Sequence, residues 1–314
     1  MKKLLAIAVA VAFAAPAMAD TSVYGKAHVS VNKASGSSLD MQSHLSRIGL
    51  KGSNALDNGL TATHKFELGI NLTDAPAAGG TLTSRDTWVG LKGGFGEVRF
   101  GRHTIPSDLM DDHADFLTNG EIINPVPGRQ NNVMAYIGSF GPVTVAVAHI
   151  ANGSDLSPAA YAAAVADVPP SPTAAASAAA VEAEDINKAN DIAIAYKAGP
   201  FQASLGHIAP STGPKLTGVG LSYSGANYGV GFKHDRVSNG GAKQNTLTGK
   251  YSFGKAYVAA GYGKVKNSTR KSTVLEVGYG LGKSTKTYFE YAKENPGGGG
   301  AAVKNARVGL VHSF

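Results

Sequence analysis

Residues 60–72 limit the possible folds more than any other stretch. Leu60, Ala62, His64, Phe66, Leu68, Ile70 and Leu72 share one parity, while Thr61, Thr63, Lys65, Glu67, Gly69 and Asn71 share the other. Only His64 interrupts the apolar set. A period of two means a strand, because successive side chains leave opposite faces of the pleat. A run of this length exceeds the usual globular strand of about five to six residues. It suits a tilted strand that crosses a bilayer.

The same alternation recurs along the chain. Val23, Gly25, Ala27, Val29 and Val31 alternate with Tyr24, Lys26, His28 and Ser30. Tyr228, Val230 and Phe232 alternate with Gly229, Gly231 and Lys233, and Leu275, Val277 and Tyr279 with Glu276 and Gly278. Val308, Leu310, His312 and Phe314 stand opposite Arg307, Gly309, Val311 and Ser313. One face is apolar; the other mixes charge, hydroxyl and glycine. Soluble sandwiches alternate too, so other features must decide. Aromatic residues gather near strand ends, as at Tyr24, Trp88, Phe140, Phe201, Tyr251 and Phe289, the placement that interfacial girdles need. Connections alternate between short (93–96, 139–142, 198–200, 224–226, 282–284) and long (33–43, 73–83, 104–129, 151–190, 294–301). Short periplasmic turns with longer outer loops mark a bacterial barrel.

Strands are expected at 22–32, 45–53, 59–72, 84–93, 96–103, 130–138, 142–151 and 191–198, then at 200–209, 215–224, 226–236, 243–253, 255–265, 272–281, 284–293 and 303–314. The expected fold is all-β: a 16-stranded antiparallel transmembrane β-barrel with short periplasmic turns and long outer loops. Sixteen strands leave an aqueous lumen that side chains cannot fill.

The N-terminus sets the compartment. Lys2 and Lys3 precede an apolar core, and Ala17-Met18-Ala19 has the small-x-small form of a cleavage site. Residues 1–19 read as a signal peptide cut between Ala19 and Asp20, and residues 20–314 as the barrel. The 314 residues include no Cys, which excludes a disulfide framework or a thiolate metal site. The formal charge of +7 is spread along the chain and makes no nucleic-acid footprint. Residues 152–190 form an Ala/Pro-rich outer loop of low complexity, a plain mobile surface loop or, on a sharper reading, an antigenic or adhesive tip. Residues 278–284 imitate a phosphate loop, but with wrong glycine spacing and in a strand-and-turn context. The nine His residues show no metal-ligand spacing. Asp111, Asp112 and His113 have no companion nucleophile elbow. No enzyme activity, metal or cofactor is expected.

Three motifs resemble one family. Ser46-Arg47-Ile48-Gly49-Leu50-Lys51-Gly52 followed by Asp57-Asn58-Gly59-Leu60 resembles the second strand and turn of the general porins of β-proteobacteria. The stretch from Trp88 to Arg102 resembles their fourth and fifth strands. Arg307-Val308-Gly309-Leu310-Val311-His312-Ser313-Phe314 resembles their ending, where the terminal aromatic is the signal for the barrel-assembly machinery. The resemblance implies a homotrimer in outer-membrane lipid and lipopolysaccharide, with passive diffusion of small hydrophilic solutes and ions. It also implies that the third outer loop, residues 104–129, folds inward and narrows the pore. The loop lacks the Pro-Glu-Phe-Gly-Gly-type motif of many enterobacterial porins.

A pore discriminates by its width and by the charges at its narrow point. The third loop is acidic, with Asp108, Asp111, Asp112, Asp115 and Glu121. Arg47, Lys65 and Arg99 lie on the polar face of the wall, and Arg102 and Arg129 flank the loop. Opposed rows would set up a field across the constriction. Lys26, Lys51, Lys233, Lys250 and Lys286 would add positive charge to the lumen, so mild anion preference is expected. A substrate-specific channel for phosphate or small organic acids, or an adhesive or structural barrel, remain the alternatives.

Overall fold

The structure, a computed structural model, describes residues 21–73, 82–119, 126–153, 188–238 and 241–314. The segment 1–19 with its Ala19–Asp20 junction, Glu121 and most of the 152–190 loop lie outside the described residues. The first strands are β1 (Ser22–Ala34), β2 (Leu39–Ser43), β3 (Arg47–Ala55), β4 (Thr61–Ile70), β5 (Leu82–Gly93) and β6 (Gly96–Thr104). After a 3-10 helix at Pro106–Ala114 come β7 (Arg129–Phe140), β8 (Val143–Ile150), β9 (Ala189–Ala198), β10 (Phe201–Pro210) and β11 (Leu216–Ser224). The rest are β12 (Tyr228–Val237), β13 (Lys243–Phe253), β14 (Ala256–Val265), β15 (Lys271–Gly280), β16 (Thr285–Asn295) and β17 (Val303–Ser313). Each is antiparallel to its neighbours, and β17 pairs with β1 from Lys26↔Ser313 to Ala34↔Asn305, which closes the ring.

The wall has sixteen strands, because β2 and β3 are two parts of one. Both pair with β1, at Val29↔Ser43 and at Lys26↔Arg47. Three residues of the second strand, 44–46, therefore oppose two of β1, which is a β-bulge. Leu45 absorbs the extra length at φ 51°. The His28 amide and carbonyl bond the Ser46 hydroxyl at 2.9 and 3.1 Å, so the ladder stays satisfied across the break. β2 occupies part of the expected 33–43 loop, since that alternation is too weakly apolar to read as strand.

The barrel is apolar outside and polar inside. Outward residues such as Phe66, Leu68, Leu247 and Leu275 are exposed, as a lipid-facing surface must be. Inward Glu67, Glu276 and Glu290 are buried. Among the described residues, the apolar clusters form where the third loop lies against the inner wall. One joins Ile105 and Met110 to Val133, Ile150, Ile208 and Leu216; the other joins Leu117 to Tyr257, Ala259 and Val274.

Candidate functional site

The third loop runs across the inner wall from β9 to β16. The Ser107 amide and hydroxyl donate to Asp191 Oδ2 at 3.1 and 2.8 Å. The Ser204 hydroxyl donates to the Leu109 carbonyl at 3.1 Å, and His113 Nδ1 meets the Ser222 hydroxyl at 2.8 Å. Further along, the Thr118 amide donates to Glu276 Oε2 at 2.8 Å, and the Asn119 amide nitrogen to Glu290 Oε2 at 3.0 Å. Tyr257 holds the same Glu276 carboxylate at 2.6 Å.

Close approach makes this docking possible. A Cβ at Gly231 would lie 1.6 Å from the His113 carbonyl oxygen, and one at Gly229 2.2 Å from the Phe116 ring. Gly218 and Gly220 receive Met110 and His113 in the same way. The glycines form a smooth strip on β11 and β12, where backbone can pack on backbone.

The wall on the other side is charged. Glu67 on β4 receives Tyr24 at 2.8 Å, Arg85 at 2.5 Å, Arg47 at 3.6 Å and Lys65 at 3.7 Å. Asp86 holds Lys65 and Arg129, and Arg99 pairs Glu97 at 2.7 Å while covering the Trp88 ring at 4.2 Å. Lys26 lies within electrostatic range of Arg47 and Arg85. Five cations thus share three carboxylates, with Lys26 as a sixth positive charge beside them. The ladder explains how Arg85 and Asp86 both point inward. Phe66 pairs Thr87 and Leu68 pairs Ser84, so two residues of β5 oppose Glu67 alone. This bulge turns consecutive side chains into the lumen.

Of the residues expected from sequence, Arg47, Lys65, Arg99 and Arg129 meet in this cluster. Arg102 does not. It is paired with Thr87 on the outward parity, and its guanidinium bonds the Ser84 carbonyl at 3.2 Å and Asn131 at 2.5 Å. On the loop, Asp111 turns to the wall and pairs Lys233, which also holds Asp235 at 3.2 Å. Lys233 is therefore buried beneath the loop and offers no charge to solutes. Asp108 is half-buried at the loop base, which closes through the Ile105 amide on the Gly128 carbonyl at 3.0 Å. Asp112 and Asp115 are exposed, and Asp115 lies within electrostatic range of Lys26 and Lys286. Loss of solvent inside the barrel, then the Asp115 carboxylate, raise the Asp112 carboxyl above its ordinary value. Phe314 lies at the seam: its amide and carbonyl exchange bonds of 3.1 and 2.8 Å with Gly25.

Arg85, Asp86 and Glu97 escaped the sequence reading. A bulge leaves no trace in single-sequence parity, so Arg85 and Asp86 carried no signal. Glu97 did carry one, two residues before Arg99 on the polar parity. Adjacent inward glycine pairs at 218/220 and 229/231 could have marked the docking strip.

Comparison with known proteins gives a consistent result. A family model described as Gram-negative porin matches residues 6–298. Major outer membrane protein P.IB of Neisseria meningitidis serogroup B is 31% identical over 143 residues, which cover 40% of this chain and 42% of that protein. The same-named protein of Neisseria gonorrhoeae is 36% identical over 118 residues, 34% of this chain and 33% of that one. The chain thus spans about two-fifths of the length of the curated relatives it matches. Among solved structures, Salmonella typhi OmpF in complex with daunomycin aligns with TM-score 0.73 at 14% identity, covering 94% of this chain and 97% of that one. A mutant of Rh. blastica porin aligns with TM-score 0.69 at 14% identity, covering 94% and 100%. At these identities the structural likeness speaks for the fold.

Proposed function

The chain belongs to the Gram-negative porin family and is an outer-membrane channel with a closed 16-strand barrel; from that premise we propose that it carries small hydrophilic solutes and ions by passive diffusion, with mild anion preference. The observation that carries this reading is the uneven charge across the lumen. Arg47 and Arg85 stand on one side with their shared Glu67, and Lys26 stands near both. On the loop, Asp111 is neutralised by Lys233, which leaves exposed Asp112 and Asp115 on that side. A fixed transverse field of this kind orients dipolar solutes and penalises apolar ones, which cannot exchange hydration for it. The excess of positive charge raises the local anion concentration.

Planar-bilayer recording tests this directly. Conductance should rise linearly with salt, and the reversal potential in a salt gradient should report anion preference. Cation selectivity would overturn the charge argument, and an absence of channel events would overturn the pore. The cation cluster also favours a second reading, a channel specific for phosphate or a small organic acid. Saturable block of conductance by one such anion would select it. The partners we propose are two further copies in a homotrimer, the barrel-assembly machinery through Phe314, and the surrounding lipid and lipopolysaccharide.

A further inference from the structure

Charge is sorted by face in this barrel. Every carboxylate on the described strands, from Asp40 to Glu294, lies on the inward parity. The outward parity carries cations instead, and they collect at the extracellular hairpins. Arg236 lies directly opposite Lys243, Lys264 opposite Lys271, and Lys293 opposite Lys304. All six are exposed, and none takes part in an ion pair among the described residues. Like charges directly opposed on neighbouring strands are destabilising. Three such pairs in succession call for a counter-charge that the described residues do not supply.

The register says where that counter-charge sits. Lys264 pairs with Asn245, two residues deeper on β13 than Lys243. Lys293 pairs with Thr273, two residues deeper on β15 than Lys271. The cations therefore descend two residues for every two strands. That is about 6.7 Å over about 9.6 Å, an angle of about 35°. Strands in outer-membrane barrels tilt by about 35–45°. The staircase and the tilt cancel, so the six charges form one level belt roughly 30 Å long around β12–β17. One or two outward positions below them come Phe232, Leu247, Tyr262, Leu275, Tyr291 and Val308, all on the lipid-facing surface. The belt caps the upper edge of the apolar band.

We infer that this belt binds the phosphate-bearing headgroups of outer-leaflet lipid, which deepens the lipid partnership proposed above and rests on the outer-membrane placement of the barrel. Phosphate oxygens accept charge-assisted bonds from Lys and Arg, and a lipid phosphate at the top of the acyl region stands at the height of the belt. Each hairpin pair can hold one phosphate between two strands. The test is a titration of the full-length, detergent-solubilised barrel with bis-phosphorylated lipid A and with the same lipid after dephosphorylation. The bis-phosphorylated lipid should bind, added salt should weaken it, and dephosphorylation should abolish most of it. Lys264→Gln with Lys271→Gln should weaken binding by about thirtyfold, at roughly fivefold per charge near a membrane surface. Adding Arg236→Gln and Lys243→Gln should weaken it much further, leaving only the Lys293/Lys304 pair. Lys255→Gln, in a turn at the opposite end of the barrel, should bind as the parent does. Conductance of each variant in the same preparation confirms a folded pore, and so separates failure here from failure of the channel reading. Equal binding of dephosphorylated lipid A, or unchanged affinity in the fourfold variant, overturns the inference.

Discussion

Glu67 is the residue on which the charged wall turns. It gathers Tyr24, Arg47, Lys65 and Arg85 on one carboxylate. Glu67→Gln keeps the shape and removes one negative charge. A unit charge about 10 Å away in water changes the energy of an ion by about 0.4 kcal/mol. With salt screening, the anion-to-cation permeability ratio should rise about twofold. Reversal potentials measure it, and an unchanged ratio would show that the cluster is too screened to select. Asp112 adds a pH dependence on the facing loop. Its carboxyl is raised by desolvation and by Asp115. Its charge is therefore present above that raised value and is lost as pH falls through it, sooner than for an ordinary carboxylate. Burial lowers His113, so that ring gains its proton later than an ordinary imidazole as pH falls. Anion preference should therefore rise as pH is lowered from neutrality, beginning above the pH at which an ordinary carboxylate protonates, and Asp112→Asn should flatten most of that rise. A slope that persists in Asp112→Asn would assign the titration elsewhere.

At the level of elements, what sequence could reveal followed the period of two. Leu60–Leu72 parity located Glu67 and Lys65 inward and Phe66 outward, as the register of β4 has them. Two bulges escaped. One divides β2 from β3 at Leu45, and the other turns Arg85 and Asp86 inward together. Each depends on one extra residue against a partner strand, which is a property of pairing and not of local composition. The path of the third loop was legible only from resemblance. Its physical cause is long-range: glycines on β11 and β12 more than 100 residues later receive Met110, His113 and Phe116. Gly231→Ala tests this, since its Cβ would lie 1.6 Å from the His113 carbonyl oxygen. The loop must lift from the wall, and single-channel conductance should shift away from that of the parent, since the pore width at the narrow point changes. Gly280→Ala is the matched control, because its Cβ would meet nothing nearer than 3.5 Å. Equal conductance in both variants would mean that the side-chain tethers on Asp191 and Glu276 alone hold the loop.

The whole molecule depends on the seam where its last strand meets its first. Nine registered pairs join β1 to β17, from Lys26↔Ser313 to Ala34↔Asn305. Phe314 extends the seam by a reciprocal backbone pair with Gly25, and its ring covers that glycine at a would-be Cβ distance of 2.3 Å. The ring is nonetheless 62% exposed. Covering about a third of a Phe side chain contributes about 1 kcal/mol, small beside a closed ladder of sixteen strands. The backbone bonds do not need the ring at all. Phe314→Ala should therefore leave a barrel refolded in detergent with a melting temperature within about 3 °C of the parent. If the ring is instead the feature that the assembly machinery reads, the amount of barrel in the outer membrane of cells should fall several-fold for the same substitution. The two measurements separate thermodynamics from recognition. A refolded Phe314→Ala barrel that loses stability in step with its loss from the membrane would make Phe314 a structural clasp, and the recognition role would fall.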